Sequence, residues 1–173
     1  MLATTRLRLK HWADRHSEPF ARMHADPEVM ADLGGAIEPA ASALKLARYK
    51  AAQVEFGVAR WAVETIDGDF LGYCGVMRRP AHDHPLGPHV EIGWRFMRDA
   101  WGQGFATESA RAALAEAEPR VGLHNIVSYT SADNARSQRV IEKLGLSRDP
   151  SRDFLMPTPS GGWKGLVWSF AVD

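Results

Sequence analysis

The stretch DAWGQGFATESARAALAEA, residues 99–117, places Gly102 and Gly104 directly before an alanine-rich amphipathic run. The run has the spacing of a helix, so the glycines fall in the turn at its N-terminus. Backbone N–H groups in a first helical turn have no intrahelical acceptor, and the helix dipole adds about half a positive charge there. Spacing alone leaves two interpretations open, an anion site and a simple tight turn.

The small residues of this turn decide how closely a ligand can approach. Gly102, Gly104 and Ala106 have no or minimal side chains, so a diphosphate could reach the main chain. The N–H groups within reach belong to Gln103, Phe105 and Thr107. A Walker A loop is excluded because no Gly-Lys-Ser/Thr follows, and a dinucleotide fingerprint is disfavoured because the next strand, NIVSYT, ends without an acidic residue. An anion bound here would be held by backbone alone.

Composition limits the classes of partner and compartment. The 21 Lys and Arg residues balance the 21 Asp and Glu residues, which argues against a nucleic-acid or anionic membrane partner. The single cysteine, Cys74, excludes a disulfide framework and fits a reducing compartment. No apolar stretch approaches the roughly 20 residues that cross a bilayer. We therefore expect one domain over residues 1–173, soluble and cytoplasmic, without a membrane partner.

In the rest of the chain, mostly neighbouring strands come first, and strands and helices then alternate. Leu7 and Leu9 alternate with basic residues, which predicts a surface strand with one buried face. Two helices between 13 and 33 are divided at Pro27, with Asp26 as N-cap of the second. After them we predict a helix over 39–56, a hairpin turning at Asp67-Gly68-Asp69 and a strand over 89–97. The alanine-rich helix quoted above follows. The chain then continues with a strand over 125–130, a helix from Asn134 to Leu144 and a strand from Gly165 to Val172. This order predicts an α/β or α+β fold.

A second constellation lies in ADNARSQRVIEKLGL, residues 132–146. Either Asp133 or Asn134 could cap the helix, and capping alone would explain an asparagine there. Ser137 lies three residues further, in the first turn, at the end that faces the carboxyl ends of the strands. Ligand crevices of open sheets lie at that end. Ser137 is thus either a candidate site residue or an ordinary surface serine.

Together these pieces resemble the GNAT superfamily of acetyl-CoA-dependent N-acetyltransferases, and within it the ribosomal-protein N-terminal acetyltransferase branch. The matching segments, in the family's order, are TTRLRLK (4–10), ADPEVM (25–30), VEIGWRF (90–96), WGQGFATESA (101–110) and DNARSQRVIEKLGL (133–146). The resemblance implies a mixed, mostly antiparallel, splayed central sheet with helices on both faces. It also implies that acetyl-CoA binds in the opening between the fourth and fifth strands.

The resemblance also assigns the cofactor-binding residues. Gly102, Gly104 and Ala106 match the family's pyrophosphate loop, which here departs from the general pattern at Trp101, a residue common in this branch. The implied loop therefore comprises Trp101, Gly102, Gln103, Gly104, Phe105, Ala106 and Thr107. The strand implied to pair through its main chain with the pantetheine arm carries Trp94, Arg95 and Phe96. Asn134 matches the asparagine that hydrogen-bonds the pantetheine.

Acetyl transfer to an amine defines what the catalytic residues must do. The attacking amine must be neutral, although an α-amine has a pKa near about 8 and a lysine about 10.4, so a base or a water relay is needed. The departing thiolate needs a proton or a hydrogen bond, for which the branch's matching residue is Ser137. Glu91 is the candidate base, because a strand glutamate is either solvent-facing or buried with a raised pKa. Glu108 is a weaker rival, since the helix dipole explains a first-turn glutamate.

Histidines offer an alternative chemistry that we weigh and set aside. His82, His84 and His89 have a spacing that can bind zinc. They belong to a proline-rich segment without cysteine, so we expect a solvated loop and no metal.

The sequence thus predicts an N-acetyltransferase that moves acetyl from acetyl-CoA to a primary amine of a small molecule or protein N-terminus by direct attack on the thioester. The alternatives are a catalytically silent CoA-binding regulatory or scaffold module and, less favoured, a nucleotide-binding protein that uses the same loop. Members of the branch often form homodimers, so a homodimer stays open. The acceptor amine is not identified by the sequence.

Overall fold

A computed structural model describes residues 1–80, 82, 84–158 and 161–171. Its strands are β1 (Leu2–Ala3), β2 (Leu7–Lys10), β3 (Arg60–Thr65), β4 (Phe70–Arg79), β5 (His89–Phe96), β6 (Ile126–Thr130), β7 (Ser147–Arg148), β8 (Phe154–Thr158) and β9 (Gly161–Ser169). Its helices are α1 (Ser17–Ala25), α2 (Pro27–Met30), α3 (Pro39–Phe56), α4 (Phe105–Val121) and α5 (Ala135–Lys143).

The strands form a mixed, mostly antiparallel sheet, as the sequence predicted. Strands β1 to β5 are successive antiparallel neighbours, β6 lies parallel beside β5, and β9 closes antiparallel on β6. Both β7 and β8 pair with β9, and neither was predicted. β7 has only two residues and β8 contains Pro157, so neither shows the alternation of a regular strand. The last predicted strand ends at Ser169, and Val172 lies outside the described residues.

Helices cover both faces of the sheet, which confirms the predicted layering. On one face α4 buries Ala110, Ala113 and Ala117 against β4 and β5. Alanines allow the helix axis to approach the strands closely, which explains the composition of the opening stretch. On the other face α1 and α3 pack Phe20 and Tyr49 against Tyr73 of β4. The sheet is therefore the central layer of three.

Several helices and strands lie where local sequence signals predicted them. The Asp26 carboxylate accepts hydrogen bonds from the N–H groups of Glu28 and Val29 and so caps α2, as predicted. Helix α3 spans the predicted 39–56. The strand with Leu7 and Leu9 has both leucines fully buried.

The sheet opens between β5 and β6. Within the described residues their parallel pairing joins only Val90 with Ile126 and Glu91 with Val127. At the next position the Ser128 hydroxyl, rather than a main-chain N–H, donates to the Ile92 carbonyl at 3.0 Å. From residue 93 to 96, β5 pairs with β4 on one side, and no described strand pairs with it on the β6 side. The splayed sheet that the resemblance implied is therefore present, between its fourth and fifth strands, which are β5 and β6 here because the short β1 was not predicted. It leaves β5 main chain free along one edge.

Candidate active site

The glycine turn lies at the end of the open edge of β5. Gly102 and Gly104 have φ of 76° and 82°, in the left-handed region, and Gly104 is the N-cap of α4. A Cβ added at Gly102 would meet nothing within 4 Å, so open space lies before this residue. The N–H groups from residue 105 to 107 begin the helix, where no intrahelical acceptor reaches them. The turn thus combines strained backbone, free donors and room for a ligand.

Trp101 connects this turn to α5. Its indole Nε1 donates to the Phe96 carbonyl at 2.9 Å, and the Arg136 Cζ lies 3.8 Å from its ring centroid. An arginine over an indole at this distance makes a cation–π contact. The departure from the family pattern at Trp101 therefore has a structural role. Sequence reasoning missed Arg136, because only the fold brings the first turn of α5 over the loop.

Arg6 and Glu108 tie the glycine turn to the N-terminal strands. Arg6 Nη1 donates to the Gln103 carbonyl at 3.0 Å, and Arg6 Nη2 lies 2.7 Å from Glu108 Oε2. The Thr4 hydroxyl donates to Glu108 Oε1 at 2.6 Å. Burial raises the pKa of Glu108, but the bonds from Thr4 and Arg6 outweigh it and bring the pKa below its ordinary value. Glu108 therefore anchors the turn, which argues against the weaker candidate for the base.

Asn134 and Ser137 lie together at the start of α5. Asn134 Oδ1 accepts from the Ser137 N–H at 3.1 Å, which confirms Asn134 as the N-cap. Asn134 Nδ2 donates to Asp32 Oδ2 at 2.9 Å. The Ser137 hydroxyl is half-buried and has no hydrogen-bond partner within the described part of the chain. It is therefore free to donate to a ligand.

Asp32 joins three elements around the opening. Its carboxylate lies 3.0 Å from Arg95 Nη1 of β5, and its carbonyl accepts from the Trp163 Nε1 of β9 at 2.7 Å. With the bond from Asn134, this residue links β5, β9 and α5. The Arg95 side chain is thus directed to Asp32, so its main chain is what remains for a cofactor. The partners are 63 to 131 positions apart in the chain, and no local pattern could have predicted the cluster.

Glu91 is buried, and the expected raised pKa is wrong. Arg60 Nη2 and Arg79 Nη2 lie 2.5 Å and 2.8 Å from its Oε1. Burial raises the pKa of Glu91, but Arg60 and Arg79 outweigh burial and lower the pKa to about 2. A Cβ at Gly93 would lie 2.7 Å from Arg60 Nη2, so this glycine lets the guanidinium cross the strand. A carboxylate held ionised in this way is a weak base.

The histidine segment also differs from expectation. His82 is exposed, but the rings of His84 and His89 have centroids 4.6 Å apart, and the His84 ring contacts Phe154 at 4.9 Å. His89 Nδ1 donates to the Gly87 carbonyl at 2.7 Å, and its side chain is 3% exposed. The prediction of a solvated loop is therefore wrong for His84, which packs half-buried against Phe154, and His89 begins β5 as predicted.

Neither a metal-binding cluster nor a membrane-spanning helix is found among the described residues. They hold no group of three or more His, Cys, Asp or Glu side chains suited to a metal ion. None of the helices described is long and apolar enough to span a membrane.

A sheet opened beside a glycine turn, with free helix N–H groups on one side and the helix-capping Asn134 on the other, is the arrangement expected of an acyl-CoA-dependent N-acetyltransferase. The chain belongs to the GNAT acetyltransferase family, because the family described as "Acetyltransferase (GNAT) domain" matches residues 6–147. Enzymes of this family use acetyl-CoA as the acetyl donor.

Two relatives resemble the chain over most of its length. The chain is 30% identical over 147 residues to the uncharacterized protein YkkB of Bacillus subtilis, covering 84% of each chain. It is 28% identical over 152 residues to the FsC-acetyl coenzyme A-N(2)-transacetylase of Aspergillus fumigatus, covering 84% of this chain and 64% of that protein.

Solved structures show the same fold. An acetyltransferase from Agrobacterium tumefaciens has a TM-score of 0.81 and 26% identity, covering 99% of this chain and 94% of its own. A RimL ribosomal alpha-N-protein acetyltransferase in complex with coenzyme A has a TM-score of 0.73 at 12% identity, covering 98% of this chain and 96% of its own. At that identity the likeness to RimL concerns the fold alone.

Proposed function

We propose that residues 1–173 act as one catalytic domain, which transfers acetyl from acetyl-CoA to a primary amine of a small molecule or protein N-terminus by direct attack on the thioester. The observation that carries the proposal is the free edge of β5, residues 93–96, ending at a glycine turn with open space before Gly102. Such an edge offers main-chain groups to an extended arm, and the turn offers N–H groups to a diphosphate.

In this proposal each residue of the candidate site has its own task. The main chain of Trp94, Arg95 and Phe96 holds the pantetheine arm, and the loop from Trp101 to Thr107 holds the diphosphate. Asn134, oriented by Asp32, hydrogen-bonds the pantetheine arm. The Ser137 hydroxyl donates to the departing thiolate. Because the pKa of Glu91 is held at about 2, we assign deprotonation of the amine to a water relay rather than to Glu91.

A thiol-release screen tests the proposal. Acetyl-CoA is offered with small amines, polyamines, aminoglycosides and N-terminal peptides, and free thiol is measured beside acetylated product. Stoichiometric thiol and acetyl-amine support transfer. Saturable binding of acetyl-CoA without product across the whole panel would instead identify a silent CoA-binding module.

Ser137→Ala is expected to lower kcat roughly 10- to 100-fold, the value of one hydrogen bond to a charged group. The Kd for acetyl-CoA should stay within about twofold, because the hydroxyl contacts the thiolate only as it departs. Steady-state kinetics and calorimetric titration give the two quantities. The control is Ser151→Ala, whose exposed hydroxyl bonds Asp149 in the turn before β8. Full turnover in Ser137→Ala would remove the assigned role.

Arg136→Ala is expected to weaken acetyl-CoA binding about 5- to 10-fold, with kcat at saturation little changed. The guanidinium over Trp101 both holds the loop and adds positive charge beside it. The loss should shrink as salt rises, because added ions screen an exposed charge. Arg139→Ala, one turn along the same helix and exposed, is the matched control. Equal affinities in the two variants would contradict a role for Arg136.

A further inference from the structure

Lys45 occupies a position on α3 where the neighbouring side chains are buried. Ser42, Tyr49 and Ala52 are buried, and Lys45 falls in their stripe at a spacing of three and four residues. Residues at that spacing share one helix face, and this face packs on the sheet. Lysines are rare on such faces unless a carboxylate pairs with them.

The charges around Lys45 are positive. Burial first, and then Arg95, Arg48 and Arg79, lower the pKa of Lys45, while the Tyr73 phenol raises it. Nowhere in the described chain does a carboxylate pair with Lys45. Burial and Lys45 also lower the pKa of His24 to about 4, so this neighbour is neutral near pH 7. The charged side chains close enough to shift the pKa of Lys45 are therefore cationic, apart from the Tyr73 phenol.

The carboxylates nearby are already shared. Glu91 serves both Arg60 and Arg79, and Asp32 serves Arg95. Arg60, Arg79 and Arg95 therefore share these two carboxylates, and Lys45 and Arg48 add positive charge beside them without a carboxylate of their own within the described residues.

Two neighbouring side chains, Tyr73 and Arg95, show further features of this positive region. Burial raises the pKa of Tyr73, yet Lys45 and Arg95 outweigh burial and lower the pKa to about 8. Arg95 is 10% exposed, and its Nε is a buried donor without a partner in the described chain. An unpaired buried donor is costly unless a ligand satisfies it.

This positive region borders the opening of the sheet. Tyr73 and Arg95 are paired across β4 and β5, on the part of β5 that lacks β6. Their side chains lie on the face of α1 and α3, opposite to α4. An acceptor reaching a thioester held along the β5 edge would approach past these cations.

We propose that the acceptor amine carries an anionic group, a carboxylate or a phosphate close to the amine, which Lys45 and Arg95 bind. This inference rests on the proposed acetyl transfer and narrows its substrate class. The two cations hold the anion so that the amine, on the same small molecule or peptide end, is directed to the open edge of β5. No bond changes in this step, which is recognition only.

Matched acceptor pairs test the inference. L-amino acids are offered as free acids and as primary amides, and 2-aminoethyl phosphate is offered beside ethanolamine. The amide's α-amine has the lower pKa, so its neutral fraction is larger, and a preference for the acid cannot come from amine protonation. We expect kcat/KM to favour the anionic member about tenfold or more in at least one pair. The preferred pair distinguishes carboxylate from phosphate.

Variants of Lys45 test whether this residue causes the preference for anionic acceptors. Lys45→Gln should remove most of it by lowering kcat/KM of the anionic acceptor, with the neutral acceptor and the KM for acetyl-CoA changed less than about twofold. Lys45→Arg should retain it. Lys50→Gln, on the same helix as Lys45 but with its amine 3.2 Å from Asp14 Oδ1, should match the wild type. Thermal melts check that each variant folds.

The outcomes separate the two proposals. Thiol release with equal kcat/KM for anionic and neutral members would overturn the inference and leave acetyl transfer intact. A preference that persists unchanged in Lys45→Gln would overturn the assignment to this cluster. Binding of acetyl-CoA without thiol release from any acceptor would overturn the proposed function, and the inference with it.

Discussion

Glu91→Gln is expected to lower the free energy of unfolding at pH 7 by about 3–5 kcal/mol, the cost of breaking a buried ion pair by removing one partner. The glutamine would leave Arg60 and Arg79 without their shared carboxylate in the centre of the sheet. Urea unfolding at a temperature where both proteins are folded measures the difference. The control is Glu108→Gln, whose carboxylate is more exposed and pairs mainly with the exposed Arg6.

The same carboxylate makes stability depend on pH in a defined direction. Its pKa is about 2 in the folded protein against an ordinary value of 4.5, so the unfolded chain binds the proton more readily. The contribution is complete above about pH 5 and is lost as pH falls from about 4.5 towards 2. The difference between wild type and Glu91→Gln should therefore shrink over that window. A difference that stays constant from pH 7 to pH 3 would contradict the ion-pair role.

This experiment also decides between an ion-pairing and a catalytic role for Glu91. A general base would give a variant with near-normal stability and a kcat reduced by about 10²- to 10⁴-fold. If Glu91 instead forms a buried ion pair, Glu91→Gln should lose stability and keep most of its kcat. The sequence indicated a strand glutamate with two outcomes, solvent-facing or buried with a raised pKa, and the structure gives a third because Arg60 and Arg79 come from strands β3 and β4.

The fold was predictable where chain-local physics decides it. The ends of α2 and α3 follow from Asp26, Pro27 and Pro39, and the hairpin from its Asp-Gly-Asp turn. The short strands β7 and β8 could not be predicted, because β9 supplies their hydrogen bonds and their own residues carry no period. The register at which β5 and β6 separate also has no local signal.

The candidate site was predictable where neighbouring residues decide it and not where distant elements meet. Glycines at positive φ and helix caps have short-range signatures, so the sequence predicted the turn at Gly102 and Gly104 and narrowed the cap of α5 to Asp133 or Asn134. Asp32 and Arg136 act through partners brought together only by the sheet. The charge excess at Lys45 is likewise a property of three elements, and a balanced overall composition conceals it.

Gly102→Asp is expected to weaken acetyl-CoA binding about 100-fold or more, equivalent to about 3 kcal/mol. A Cβ at this position meets no atom within 4 Å, so the side chain disturbs no packing and enters the space assigned to the diphosphate. There its carboxylate would repel the ligand and compete for the N–H groups at the start of α4. Isothermal titration with acetyl-CoA and with CoA measures the loss.

Strain must be separated from repulsion, and the chain contains a matched glycine for this purpose. Gly68, in the turn between β3 and β4, has φ of 101° and also no atom within 4 Å of an added Cβ. Gly68→Asp therefore carries a similar backbone cost, about 1–2 kcal/mol of stability, without facing the site. Equal stability losses in the two variants, with affinity lost only in Gly102→Asp, would locate the diphosphate at the turn. Unchanged affinity in Gly102→Asp would mean that the turn only starts a helix, since a carboxylate and a diphosphate cannot share the same few N–H groups.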